Sequence, residues 1–414
     1  MIFPYRKAQI ALHTPKISLR SLKKKKPQQM AKDGKYNFMN SFLTPLRMAN
    51  ILSLGTASAP HLVKQDEISK ALSSRLELDK ERQKKLHSIF QKTEIEKRYS
   101  VVKDYQHPQL QGELFDKSFP KVLPGTSKRN EIYKREAPKL AHAAAEKALK
   151  EWGGDRSDIT HVISVSCTGL VAPGIEFSLV DSLSLSRSVH RLGINFMGCF
   201  GAFQGLATAR AFALENPNHR VLLVCTELCS LHMQVDDDLK TFVANALFSD
   251  GSGAAVVGME ARGKESPLWS IAHHHSLALT QSLRDMTWEI GDDGCIMNLS
   301  QQVPIRVKRH IKEFVKALWK NEEVIPKCDW LVHPGGKAIL QAVADVCQLD
   351  PIEDLKPSWD VLRNYGNMSS ATFLFILDAA RKQQALRKWG IGLGFGPGLS
   401  LEGILLKNEQ QNET

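Results

Sequence analysis

At 414 residues the chain is long enough for two domains, or for one large layered unit with a substantial core. Apolar residues make up 43%, no run approaches the roughly 18 consecutive apolar residues of a membrane helix, and seven irregularly spaced cysteines argue against a disulfide framework and fit a reducing cytoplasm. The net charge of +11 does not make a nucleic-acid binder: residues 1–48 hold eleven Lys/Arg and one acid, Asp33, a balance of +10 that leaves +1 for the other 366 residues.

That basic stretch, MIFPYRKAQIALHTPKISLRSLKKKKPQQ, opens the chain and has three readings. It is a basic arm for an acidic surface, an organelle-targeting segment, or a disordered extension ahead of a working start at Met39 or Met48. From Met48 the string MANILSLGTASAP reads as the β-rich start of a domain. Residues 64–95 are charged and helix-periodic, and 106–128 read as loop. Residues 129–151 form a strong amphipathic helix closed by Gly153-Gly154. ITHVISVSCTG (159–169) reads as a buried strand, 176–186 as a helix, and the run before Cys199 as a strand with a helix from Phe200 to Ala213 behind it. RVLLVCTEL (220–228) and GSGAAVVGM (251–259) are continuous apolar strands, the pattern of strands covered on both faces. After a break near 260–267 come a strand at 268–273, a helix at 304–320, a strand at 329–336, a helix at 337–347, a further helix running to Lys382 and a closing strand pair. Strands alternate with helices in both stretches, which predicts an α/β protein of two similar halves, 49–260 and 261–407, with a tail at 408–414.

Three junctions carry chemistry. Cys199 stands where a strand meets a helix start, between Gly198 and Gly201. There the unpaired amides and the helix dipole favour thiolate, so its pKa is expected to fall below the ~8.5 of a free thiol. The ordinary alternative is a small buried hydrophobe. His333, in LVHPGGKAIL, ends a strand before a turn and helix, the place where α/β proteins put their sites. A lone histidine there is more often structural. Asn367, in NYGNMSSA, stands at a third such junction, where an N-cap is the plain reading. Together the trio suits carbon–carbon bond formation from a malonyl thioester. Cysteine holds the acyl chain, while neutral histidine and asparagine donate to the thioester oxygen that becomes an enolate when CO₂ leaves. Neither HHH (273–275) nor DDD (236–238) makes a metal site, because adjacent identical side chains diverge, and Cys225 with Cys229 suggests no zinc or redox pair.

Over about residues 49–407 the chain resembles the type III polyketide synthases, the chalcone and stilbene synthase family. The matching strings are GCFGAFQGL, ALFSDGSGAAVVG, LVHPGGKAIL, NYGNMSSATFLFIL and GFGPGLSLEGILL. The resemblance implies a thiolase-like fold, two βαβαβαββ halves in a five-layered αβαβα arrangement, and a homodimer. It implies Cys199, His333 and Asn367 as the catalytic triad and Phe248 as gatekeeper. Cavity-wall positions fall on Thr168, Ala172, Cys229, His232, Ala244, Met297 and Ser369, and CoA contacts on Lys85, Lys92 and Ala338. Substrates would be an acyl-CoA starter and malonyl-CoA, with no further cofactor, no metal, no nucleic acid and no stable membrane insertion.

The chain departs from the plant enzymes in several places. Cys229 and His232 replace small hydroxyl residues, Trp288 and Met297 stand near positions held by Gly and Phe, Ala172 replaces a Met at the dimer seam, and Ser88 replaces an arginine of the CoA grip. These strings are similar to bacterial members and favour a fatty acyl starter, with an alkylpyrone or alkylresorcinol product, over a chalcone. A β-ketoacyl-ACP synthase III shares the triad but condenses once on a carrier protein. A non-catalytic basic binding protein is the reading from another class; turnover of malonyl-CoA by the chain from Met48 separates it from both.

Overall fold

The computed structural model describes residues 48–235, 238–320, 325–383 and 386–409. The basic stretch before Met48, Asp236 and Asp237 of the DDD string, and residues 410–414 of the tail lie outside the described residues.

The first half runs β1 (Ala49–Ser58), β2 (His61–Lys64), α1 (Gln65–Arg75), α2 (Lys80–Lys92), β3 (Lys97–Ser100), α3 (Thr126–Trp152), β4 (His161–Ser166), α4 (Ile175–Ser182), β5 (His190–Asn195), α5 (Gly201–Glu215), β6 (Arg220–Leu228), α6 (Leu239–Leu247) and β7 (Asp250–Gly258). The second runs β8 (Trp269–Ala278), β9 (Met286–Gly291), β10 (Gly294–Leu299), α7 (Gln302–Leu318), β11 (Cys328–Val332), α8 (Lys337–Cys347), α9 (Lys356–Tyr365), α10 (Ala371–Arg381), β12 (Trp389–Gly396) and β13 (Ser400–Asn408).

Nine of these strands form one sheet in the order β11-β12-β13-β8-β1-β7-β6-β4-β5. In each half the first strand pairs antiparallel with the last, the last pairs antiparallel with the strand before it, and that strand lies parallel to an earlier one. The repeat of this pairing is the internal symmetry expected from the element order. In the second half helix α9 precedes Asn367, and the backbone there makes only an isolated bridge to Phe248. A short β1–β8 pairing, Ala49–Ile51 against Trp269–Ile271, joins the halves.

Three apolar clusters fill the core on the two faces of the sheet. Strand β6 shows why: all nine residues are buried, and period two sends Leu222 and Val224 to the α3 side and Val221 and Leu223 to the α5 side. Helices α5 and α10 share the middle cluster, and α7 and α8 cover the second-half strands from outside. Helix α3 presents an alanine face (Ala137, Ala141, Ala144, Ala148) to the sheet. The close approach needs Gly55 in β1, where a Cβ would stand 2.2 Å from the Ala144 carbonyl oxygen and 2.5 Å from the Ala148 nitrogen. Gly55→Ala should therefore destabilise the fold by about 3 kcal/mol; an unchanged melting temperature would show that α3 can retreat.

Several boundaries differ from the sequence reading. The charged stretch 64–95 is two helices, because Asp79 caps a new start by accepting from the Glu81 and Arg82 amides at 2.9 Å. Helix α3 begins three residues early, at Thr126. The 282–300 string forms a hairpin, β9–β10, that pairs with no other strand among the described residues. In β8, His274 pairs with Glu402 at 2.8 Å and His275 packs on Phe314, which gives these histidines structural partners.

Candidate active site

Cys199 lies in a single 3₁₀ turn, Gly198–Phe200, that runs into α5. Gly198 has φ +73°, and a Cβ there would meet Pro397 at 2.4 Å. Only glycine lets the turn tuck under the end of β12. The Cys199 Sγ is 4.0 Å from both side-chain atoms of the Asn367 amide. That amide is fixed, since its Oδ1 accepts from the Ser369 N–H at 2.9 Å.

Asn367 is held by the backbone of Phe248 and its neighbours: its N–H donates to the Leu247 carbonyl and its carbonyl accepts from Ser249, both at 2.9 Å. Leu247 also faces Gly336, in the turn that follows His333. His333 extends β11 by one residue beyond the parallel pair Val332–Leu393, with its N–H on the Leu393 carbonyl at 2.8 Å. β11 and β12 are parallel, so His333 and Pro397 sit at the same sheet end, where the Cys199 turn packs. The structure thus gathers the three junctions at one end of the fold.

The electrostatics depart from the expectation of a depressed thiol pKa. Burial pushes the Cys199 thiol up to about 11, and the Ser369 hydroxyl and Asn367 amide only partly oppose it. Burial likewise pushes His333 down to about 3, and neither ring nitrogen has a hydrogen-bond partner among the described residues. A buried imidazole with two unused nitrogens is costly for the fold and available to a substrate.

Around Cys199 lies a chamber of about 20 Å³, and beyond it one of about 140 Å³. Cys229, Phe248, Trp288 and Met297 line both and so form the partition. Thr168 and Ser369 face the small chamber; His232 and Ala244 face the large one. Ala172 lines neither and is exposed. Lys85, Lys92 and Ala338 are also exposed and outside both chambers, with Lys85 paired to Glu81 at 2.7 Å. An ion pair between Glu94 and Lys337, neighbours of Lys92 and Ala338, brings the end of α2 to the start of α8.

Some site residues escaped the sequence reading. Glu227 is fully buried and accepts from the Cys167 N–H (3.0 Å), the Cys167 thiol (3.3 Å), Thr168 (2.8 Å) and Ser370 (2.5 Å). A carboxylate inside an otherwise apolar strand, RVLLVCTEL, was the available signal. Burial raises its pKa. The β9–β10 hairpin carries Trp288 opposite Met297. The Trp288 indole N–H donates to the Cys167 carbonyl at 2.7 Å and its ring meets His232 edge-on at 5.5 Å. His232 is also locked, donating from Nε2 to the Thr168 carbonyl (2.7 Å) and accepting at Nδ1 from the Cys295 N–H (2.9 Å).

A family model described as "Chalcone and stilbene synthases, N-terminal domain" matches residues 44–261, and its C-terminal counterpart matches 272–409. The chain belongs to the chalcone and stilbene synthase family. Members of this family are acyltransferases. The chain is 34% identical over 365 residues to probable polyketide synthase 1 of Dictyostelium discoideum, covering 86% of this chain but only 11% of that much longer relative. It is 31% identical to type III polyketide synthase C of Arabidopsis thaliana, over 87% of this chain and 95% of that one. Among solved structures it is similar to the C-terminal type III polyketide synthase domain of Steely1, a type I/III hybrid from Dictyostelium (TM-score 0.82, 34% identity, 87% of this chain and 99% of that one). It is also similar to PKS-I from the brown alga Ectocarpus siliculosus (TM-score 0.81, 29% identity, 88% and 99% covered). These likenesses agree with the thiolase-like fold and the type III polyketide synthase reading. The relatives are eukaryotic and give the leaning toward bacterial members no support.

Proposed function

We propose that this chalcone and stilbene synthase family member loads an acyl-CoA starter on Cys199 and extends it with several malonyl-CoA units by decarboxylative Claisen condensation. The observation that carries this is the Cys199 thiol, 4.0 Å from a fixed Asn367 amide at the sheet end where the two His333 ring nitrogens have no partner among the described residues. Burial disfavours thiolate and imidazolium alike, so the resting groups are neutral; His333 takes the thiol proton as Cys199 attacks the starter thioester, the acyl–CoA bond breaks, and the departing CoA thiolate takes the proton back, leaving His333 neutral. In extension, His333 and Asn367 donate to the malonyl thioester oxygen. CO₂ departs, the enolate carbon attacks the Cys199 acyl group, and the thiolate leaves. The reaction so written uses no prosthetic group. Lys85 and Lys92, with Ala338 nearby in the α8 start, suit the CoA end of the substrates.

This scheme fixes a pH dependence. Decarboxylation needs neutral His333, whose pKa is held at about 3. The rate should therefore stay level from pH 7.5 down to about 5.5, where an ordinary histidine would already be mostly protonated. A half-maximal rate near pH 6.5, with the fold intact by circular dichroism, would contradict it.

The 140 Å³ chamber behind the Trp288 partition supports a flexible alkyl starter over a flat aromatic one. Medium or long fatty acyl-CoA should outperform 4-coumaroyl-CoA at least tenfold in kcat/KM, a difference of about 1.4 kcal/mol, which two extra buried methylenes would supply. Incubation with malonyl-CoA and a panel of acyl-CoAs, with products identified by mass, tests both points. A chalcone from the aromatic starter overturns the starter assignment. A single condensation on carrier protein overturns the polyketide reading in favour of a β-ketoacyl synthase.

A homodimer suits the edge strand β5, which pairs on one side only among the described residues and has Leu170, Phe177, Leu192 and Met197 exposed on it or on neighbouring segments. Ala172, the seam position the resemblance implies, is exposed two residues beyond Leu170. No described helix is long and apolar enough to cross a membrane. All seven cysteines are free, as suits a reducing compartment.

A further inference from the structure

The β9–β10 hairpin belongs to the second half but walls a chamber built mainly by the first. An isolated two-stranded hairpin is marginal in water, so its position is set by what holds it. Its strands are half exposed, with Ile290 and Ile296 at 55% and 51%. Its strands are tied through Trp288 to Cys167 and through Cys295 to His232, and its tip is held by the first turn of α3. Thr126 Oγ1 donates to the Gly291 and Asp292 carbonyls and accepts from the Gly294 N–H at 2.7 Å, while the Thr126 N–H donates to the Asp292 carbonyl at 2.7 Å. Beneath, Gly294 (φ +101°) lies directly on the buried Arg129, whose guanidinium also holds the Leu231 and Met233 carbonyls on either side of His232. The same turn of α3 thus seats both the hairpin wall and the His232 wall of the large chamber. Gln234 Nε2 ties them together through the Asp293 (2.9 Å) and Cys295 (3.3 Å) carbonyls.

We propose that Thr126, which lines neither chamber, is a specificity-positioning residue: by fixing the hairpin tip it fixes how far Trp288 and Met297 stand from Cys229 and Phe248, and so which acyl chains pass the partition. The inference rests on the polyketide synthase reading above. Loosening the tip lets the hairpin swing outward and favours longer chains, while the chemistry at Cys199, His333 and Asn367 is untouched.

The test compares full-length wild type with Thr126→Val, which keeps the shape and removes the hydroxyl, and Thr126→Ser, which keeps the hydroxyl. Two quantities are read: the ratio of kcat/KM for dodecanoyl-CoA to that for hexanoyl-CoA, and decarboxylation of malonyl-CoA without starter. Thr126→Val should raise the ratio at least fivefold, about 1 kcal/mol of differential transition-state binding, with decarboxylation within twofold of wild type. Thr126→Ser should match wild type. An unmoved ratio, or decarboxylation falling in step with extension, overturns the proposal. If Thr126→Val does not fold, Thr126→Cys carries the same comparison. A wild type that turns over no malonyl-CoA overturns the underlying reading, a result distinct from an unmoved ratio.

Discussion

Cys199→Ala should abolish chain extension, lowering it by about four orders of magnitude or more, as expected when a covalent nucleophile is removed. Two other thiols line the same small chamber, so rescue is a real alternative. It fails on their surroundings. Burial holds both the Cys167 and Cys229 thiols well above the ordinary range, and Cys167 is already engaged with Glu227 and Ser369. Neither lies on the turn beside the Asn367 amide. Decarboxylation of malonyl-CoA should survive in this variant, because His333 and Asn367 remain. Product masses together with CO₂ release separate the two activities. Polyketide at the normal yield from Cys199→Ala would sink the nucleophile assignment.

His333→Leu should have the complementary signature: both decarboxylation and extension fall, by about three orders of magnitude, since one group serves as donor in one step and proton acceptor in the other. The fold should tolerate the change. His333 is fully buried, its ring nitrogens make no hydrogen bond among the described residues, and its anchoring to Leu393 is through the backbone N–H, which leucine keeps. Replacing two buried, unpaired polar atoms with an apolar side chain of similar volume should leave the melting temperature unchanged or higher. A variant that keeps decarboxylation, or that loses activity only because it unfolds, would contradict the assignment.

Much of this was legible in the letters, for local reasons. The apolar run RVLLVCTEL reads as a doubly covered strand because its burial is continuous, and β6 is buried throughout. Cys199, His333 and Asn367 each mark a strand-or-loop to helix junction, and such junctions are written in neighbouring glycines, prolines and periodicity. The sign of the Cys199 pKa shift was not legible. A helix start is a local feature that argues for thiolate, but burial by elements distant in sequence outweighs it. The hairpin at 286–299 was read as a string of cavity positions and not as a hairpin, because its short strands are half exposed and their alternation is weak.

The sequence by itself determined the α/β class, the repeated strand–helix order, the three candidate residues and the family. Each depends on periodicity, junction chemistry or matching strings, all of which survive in one dimension. Only the tertiary structure decided which of those residues meet, that Trp288 and Met297 partition two chambers, that Glu227 gathers Cys167, Thr168 and Ser370, and that Thr126 seats a wall belonging to the other half. The reason is physical. These contacts join residues up to 168 positions apart, and their geometry is set by how the two halves of the nine-stranded sheet pack on a shared pair of central helices, which no local pattern encodes.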